Sequence, residues 1–144
     1  MHKVKDILAG KGSEIWGVSP EDTVYSALEF LSQKQIGAVL VLEEGKLHGI
    51  FSERDYARKV ILAGKSSREL KVKEIMSKNV ICVEEDQTVE ECMALMTEKH
   101  IRHLPVYSGG KLSGVISIGD VVKAIIKGKE HEINELTRYI TEGR

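Results

Sequence analysis

Gly45-Lys46-Leu47-His48-Gly49-Ile50-Phe51-Ser52-Glu53-Arg54-Asp55 returns later in the chain as Gly110-Lys111-Leu112-Ser113-Gly114-Val115-Ile116-Ser117-Ile118-Gly119-Asp120. The offset is 65 residues, and the same offset carries Thr23-Val24 onto Thr88-Val89 and Lys34 and Ile36 onto Lys99 and Ile101. A constant offset means two copies of one structural unit rather than scattered similarity. Upstream, Val4-Lys5-Asp6-Ile7-Leu8 resembles Val72-Lys73-Glu74-Ile75-Met76 at an offset of 68. The change of offset falls in a stretch punctuated by Gly10, Gly12 and Gly17, where a loop insertion is tolerated. The expected division is therefore a first repeat over 1–66, a second over 67–128, and a C-terminal helix over 129–144. Two such halves would bury their apolar faces against each other as a pseudo-twofold pair, leaving clefts of the kind in which ligands bind.

Each copy has the same local grammar. Thr23 can cap a helix whose apolar face is Val24, Ala27, Leu28 and Leu31; Thr88, Val89, Cys92, Met93 and Met96 repeat that layout. Ala38-Val39-Leu40-Val41-Leu42 is short and β-branched, as a strand should be. Glu43-Glu44-Gly45-Lys46 is a tight turn leading into a second strand, and Ser108-Gly109-Gly110-Lys111 is its counterpart. Helices are expected over 54–62 and 119–126, and short opening strands over 14–18 and 79–83. The order in each half is strand, helix, strand, strand, helix, an α/β (α+β) class.

Composition narrows the function. The chain has 144 residues, 42% of them hydrophobic, and a net charge of −1, so nothing draws it in bulk to nucleic acid or an anionic membrane. No apolar run approaches the roughly 20 residues of a membrane span. Met1-His2-Lys3-Val4-Lys5-Asp6 lacks the apolar core of a signal peptide. Cys82 and Cys92 have no metal-ligand spacing and read as reduced thiols, one or both buried. The expectation is a cytoplasmic protein with no metal, no nucleic-acid partner and no membrane.

Three motifs in register, Lys99-His100-Ile101-Arg102-His103-Leu104-Pro105-Val106, Gly114 to Asp120 and Gly49 to Asp55, together resemble the CBS domain, named after cystathionine β-synthase. The resemblance runs from about Val4 to Lys127 and is closest to small stand-alone tandem pairs. It implies adenine nucleotides bound in two clefts between the halves, no attached catalytic domain, and a homodimer.

The residues themselves suit such a ligand. Ser52 and Ser117 stand where a strand meets a helix, with Asp55 and Asp120 three residues on. A carboxylate is a pure acceptor able to hold both hydroxyls of a ribose, and a serine with helix N-terminal N–H groups suits a phosphate. The resemblance assigns the ribose to Asp55 and Asp120. Ser-x-x-Asp is equally a helix capping box, and the two roles are compatible. Arg102 and His103 are a basic pair that the resemblance places on phosphate; otherwise they are a surface charge and a strand-edge histidine. The first half has Gly37 and Ala38 there, and carries Arg54 where the second has Gly119. Arg54, Arg102 and His103 could serve one phosphate region, or Arg54 and Arg58 could line a solvated helix face. By resemblance the base slot of the second half comprises Val80, Ile81, Leu104 and Pro105, and that of the first Ile15, Trp16 and Val39. Trp16 is either a stacking platform or core. Gly37 leaves room for a bulkier ligand such as NAD(H). In the C-terminal segment, Ile133, Leu136 and Ile140 share one face that packs on the module or on a second copy.

The expected function is a regulatory sensor of an adenine nucleotide (AMP or ATP, with NAD(H) possible), acting by ligand-dependent conformational shift on an unknown protein target. S-adenosylmethionine belongs to the same open choice. The alternative is a protein-interaction adaptor with vestigial clefts. Catalysis is not expected: His100, His103 and the two cysteines mark no nucleophile–base pair, and no glycine-rich phosphate loop is present.

Overall fold

The computed structural model describes residues 2–12 and 14–142. In chain order its elements are α1 (Val4–Lys11), β1 (Gly17–Val18), α2 (Val24–Lys34), β2 (Ala38–Glu43), β3 (Lys46–Ser52), α3 (Glu53–Tyr56) continued by a π-helical turn (Ala57–Ile61), α4 (Val72–Ile75), β4 (Val83–Glu84), α5 (Val89–Lys99), β5 (His103–Ser108), β6 (Lys111–Ser117) and α6 (Ile118–Glu142). The fold is mixed α+β, with two three-stranded sheets ordered β1-β2-β3 and β4-β5-β6. In each, a short parallel strand joins an antiparallel hairpin: Val18 faces Val41, and Val83 faces Val106.

Both hairpins close with two residues in the left-handed region, Glu44 and Gly45 (φ 52° and 75°) and Gly109 and Gly110 (φ 57° and 81°). Positive φ at both positions gives the turn whose twist matches the flanking strands. The Thr23 hydroxyl accepts from the Ser26 N–H and that of Thr88 from the Glu91 N–H, each at 3.1 Å, so both expected caps form. Behind them, α2 buries Val24, Ala27 and Leu31, and α5 buries Val89, Cys92 and Met96. Each helix ends at a left-handed residue, Gln35 or His100, with φ 55° at both.

The chain divides into two compact units, one of residues 16–80, the other of residues up to 15 together with those from 81 onward. This grouping departs from division in chain order. The leading helix of each repeat packs with the other repeat's sheet. In the discontinuous unit α1 buries Val4 and Leu8 in the core beside Leu104, Val106 and Ile116. Its backbone is tied in by Val4 N–H to Gln87 O (2.9 Å) and Lys5 N–H to Glu85 O (3.0 Å). In the continuous unit α4 repeats the arrangement, burying Val72 and Ile75 beside Val39, Val41 and Phe51. There Val72 N–H donates to Asp22 O (2.8 Å) and Lys73 N–H to Pro20 O (3.1 Å).

Gly49 on β3 and Gly114 on β6 make this packing possible. A Cβ on Gly49 would lie 2.7 Å from Ser77 O and 2.9 Å from Met76 Sδ; one on Gly114 would lie 2.8 Å from a Leu8 methyl. Leu8 and Met76 are themselves matched positions, so each repeat uses the same glycine to admit the same side chain.

Three boundaries differ from expectation. The opening strands keep only two residues each, Gly17–Val18 and Val83–Glu84. The helix expected over 54–62 begins as α3 and widens into the π-helical turn. The helices expected over 119–126 and 129–144 are one continuous 25-residue helix, because Gly128 lowers helix propensity without breaking the backbone hydrogen bonds. Residues 143 and 144 of that expected helix lie outside the described residues.

Candidate functional site

The Ser117 turn of the discontinuous unit gathers the most chemistry. Ser117 ends β6, and Asp120 lies on the first turn of α6. The Ser117 N–H donates to Asp120 Oδ2 at 2.8 Å, and the Asp120 N–H donates back to Ser117 Oγ at 3.1 Å. Both are bonds of a capping box. The Ile118 N–H donates to the Arg102 carbonyl at 2.8 Å, which fastens the start of α6 to the entry of β5. His103 stands directly across the hairpin from Ser117. Sequence reasoning passed over one participant: the Lys11 ammonium, at the end of α1, lies 2.7 Å from Asp120 Oδ2 and donates to Val115 O at 3.0 Å. Lys11, 109 positions from Asp120, carries no local signal of this pairing.

Electrostatics follow from that grouping. Burial pushes the Asp120 carboxyl up, but the Lys11 ammonium and the Ser117 donors outweigh it, leaving the group below its ordinary range. His103 is held below its ordinary value, first by burial and then by the positive charge of Lys11; Asp120 pulls the other way, and Arg102 adds to the lowering. Arg102 is exposed. A carboxylate acceptor, a hydroxyl and three basic side chains thus share one strand-to-helix turn, suited to a polyol bearing negative charge.

The Ser52 turn has the same backbone but a different carboxylate. Asp55 Oδ2 accepts from the Ser52 N–H and the Ser52 hydroxyl, each at 3.0 Å. Its Oδ1 accepts from the Ser77 hydroxyl and meets the Lys59 ammonium, each at 3.1 Å. Lys59 donates in addition to Ile75 O at 2.9 Å. Asp55 is 7% exposed, the one buried charged residue among the described residues. Where the sequence suggested an acceptor for a ribose, the Asp55 carboxylate meets donors from the chain itself. Lys59, four residues after Asp55, was detectable as a helix-spaced pair; Ser77 was not.

The expected base-slot residues divide. Val39 and Leu104 are buried in the two cores, and Pro105 is buried as well. Trp16 meets Phe30 edge-on, ring centroids 6.5 Å apart, and Lys34 covers its ring at 5.0 Å, so it packs against the core of its unit instead of presenting a bare face. Ile81 is partly buried on the other core. The unit boundaries fall between Ile15 and Trp16 and between Val80 and Ile81, within both expected slots. Gly37 is exposed and open, with Glu53 Oε1 3.9 Å from where a Cβ would be. Arg54 is exposed on α3 and belongs to a different unit from Arg102 and His103.

Among the described residues no cluster of His, Cys, Asp or Glu could hold a metal ion, and no helix is long and apolar enough to cross a membrane.

The chain is similar to known proteins in sequence and fold. The CBS domain family matches residues 4–61 and 72–127. The CBS domain-containing protein CBSX3, mitochondrial, of Arabidopsis thaliana is 38% identical over 150 residues, covering 97% of this chain and 72% of the relative. The structure of a protein with CBS domains from Burkholderia ambifaria MC40-6 is 50% identical, with a TM-score of 0.84 over 87% of this chain and 94% of that one. The CBS domain pair of protein MJ0100, solved in complex with 5′-methylthioadenosine and S-adenosyl-L-methionine, is 27% identical, with a TM-score of 0.75 over 90% of this chain and 98% of that one. CBS pairs are in general regulatory modules that bind adenosine ligands. With both repeats matched and the fold shared, this chain belongs to the CBS domain family, as a tandem pair.

Proposed function

We propose that the protein is a regulatory module that binds an adenosine-type ligand, with AMP or ATP as first choice and NAD(H) and S-adenosylmethionine in the same chemical class. One observation carries this reading: the Asp120 carboxylate at the start of α6, bonded to Ser117 and Lys11, with His103 across the hairpin from Ser117 and Arg102 next to His103 in the chain. A ribose diol would donate to Asp120, which accepts only. Phosphate oxygens, or another anionic group, would take the basic side chains. The adenosine complex of the MJ0100 pair supports the ligand class.

Lys11 gives binding a route to the rest of the chain. A diol reaching Asp120 must share or displace the Lys11 ammonium, and Lys11 ends α1. Regulation requires only that the ligand bind two states of the protein with different affinity. We further propose a homodimer: Ile118, Val122, Ile126, Ile133, Leu136 and Ile140 form an exposed apolar stripe along α6, which suits a second copy.

The test is a thermal-shift panel of AMP, ATP, NAD, S-adenosylmethionine and 5′-methylthioadenosine on wild-type protein and Asp120→Ala. A ligand at 100 times its dissociation constant adds about 2.7 kcal/mol, which raises the melting temperature by several degrees. A rise in wild type that disappears in Asp120→Ala is expected. No rise with any compound, in protein free of co-purified nucleotide, would reject the reading.

A further inference from the structure

On the adenosine-binding reading, on which this rests, we infer that the two Ser-x-x-Asp turns have divided their work: Asp120 receives the ligand, Asp55 is an internal clasp, and each chain takes one adenosine-type molecule. The sequence repeats the motif faithfully, so the difference lies in what surrounds it.

A carboxylate offers about four acceptor positions. At Asp55 all four are used, by the Ser52 N–H, the Ser52 hydroxyl, the Ser77 hydroxyl and the Lys59 ammonium. A ribose would have to evict Ser77 and Lys59 from a site only 7% exposed. It would replace a charged donor with neutral hydroxyls and leave the Lys59 ammonium with Ile75 O alone. The Lys59–Asp55 pair is partly solvated on the lysine side, with exposures of 43% and 10%, so the obstacle to a ribose is the filled carboxylate and the Ser77 contact more than the ion pair itself. The eviction would also undo the fastening of α3 and its π-helical turn to the end of α4 and the residues just after it, because Ile75 closes α4 and Ser77 follows two residues on.

Asp120 is built for exchange. Its Oδ2 accepts from the Ser117 N–H and from Lys11, and its Oδ1 accepts no hydrogen bond among the described residues. The Lys11–Asp120 pair is partly solvated, with side-chain exposures of 40% and 20%, and such a pair contributes little when intact. Two substitutions between the repeats account for the contrast. The positions matched to Lys59 and Ser77 are Ala124 and Ala9, whose methyl groups cannot donate. The clasp at Asp55 has no means of forming at Asp120.

Isothermal titration of the full chain with AMP, and in parallel with S-adenosylmethionine, tests this. The expected result is one molecule per chain, with affinity lowered about tenfold to a hundredfold by Asp120→Ala. Lys59→Met and Ser77→Ala should leave the affinity within about twofold while lowering the melting temperature. Asp55→Asn should do the same wherever it folds, and the other two variants carry the test if it does not. Two molecules per chain, or loss of binding in Lys59→Met with unchanged stability, would overturn the division of roles while leaving the adenosine reading intact. Absence of binding by either probe and by the whole thermal-shift panel would overturn both.

Discussion

His103 has two influences in conflict at a single ring. Burial and the ammonium of Lys11 favour its neutral form, while Asp120 favours the charged one, and the balance lies on the neutral side. Its folded pKa is therefore lower than its unfolded value of about 6.5. Between those two values the unfolded chain binds more protons than the folded one, so stability rises with pH across that window and falls on acidification. Asp120 behaves as a depressed carboxylate: its stabilisation is present above its unfolded value of about 3.9 and is lost only as pH falls through its lower folded value. Denaturant titrations at steps from pH 8 to pH 5 should show declining stability in wild type and a flatter profile in His103→Gln. An equal decline in both proteins would show that His103 does not set the slope. Phosphate placed near His103 favours the charged ring, so AMP should bind more tightly as the pH falls through the same window, while adenosine should not. The residue types at this turn were legible from the sequence, because Ser117, Asp120, Arg102 and His103 lie in two short motifs. Lys11 was not, since only folding brings it there.

At the scale of elements, the hairpins, caps and amphipathic helices were readable because each is decided within a few residues. Gly109-Gly110 and Glu44-Gly45 supply positive φ at the turn itself, and Thr23 and Thr88 cap the helices that begin at the next residue. The helices expected over 119–126 and 129–144 proved to be one, because the 25-residue α6 runs straight through Gly128. Gly49 and Gly114 give no local signal at all; what they admit comes from another element. Their surroundings differ in a testable way. A Cβ at Gly49 meets a backbone carbonyl, Ser77 O at 2.7 Å, where Ser77 N–H and O are both bonded to Ile50. A Cβ at Gly114 meets only the end of the Leu8 side chain, which can change rotamer. Gly49→Ala should cost about 2–3 kcal/mol and Gly114→Ala about 1 kcal/mol or less, by overpacking. Urea denaturation measures both. Equal costs would mean that the Ser77 segment yields as easily as a leucine methyl.

At the scale of the whole molecule, duplication was plain in the sequence, but the grouping of the segments was not. The match between Val4-Lys5-Asp6-Ile7-Leu8 and Val72-Lys73-Glu74-Ile75-Met76 says that the two segments are alike; it says nothing about which sheet each one covers. The answer makes the two units unequal in connectivity. Residues 16–80 hold a complete sheet, α2, α3 and their own α4 in one continuous stretch. The other unit is severed without α1, which supplies Val4 and Leu8 to its core and, through the backbone of Val4 and Lys5, pairs with Gln87 and Glu85. Burying two such side chains is worth about 3–6 kcal/mol, a large share of what a domain this small can muster. A fragment of residues 16–80 should therefore unfold cooperatively by itself, with weak stability. A fragment of residues 81–142 should lack a cooperative transition and regain one when a peptide of residues 2–15 is added. A Leu8→Ala peptide should be less effective, since it forfeits about 2–5 kcal/mol of core packing. Circular dichroism during thermal melts of the fragments, with and without peptide, reads each of these. Cooperative folding of residues 81–142 alone would mean that α1 only lies on a core already complete.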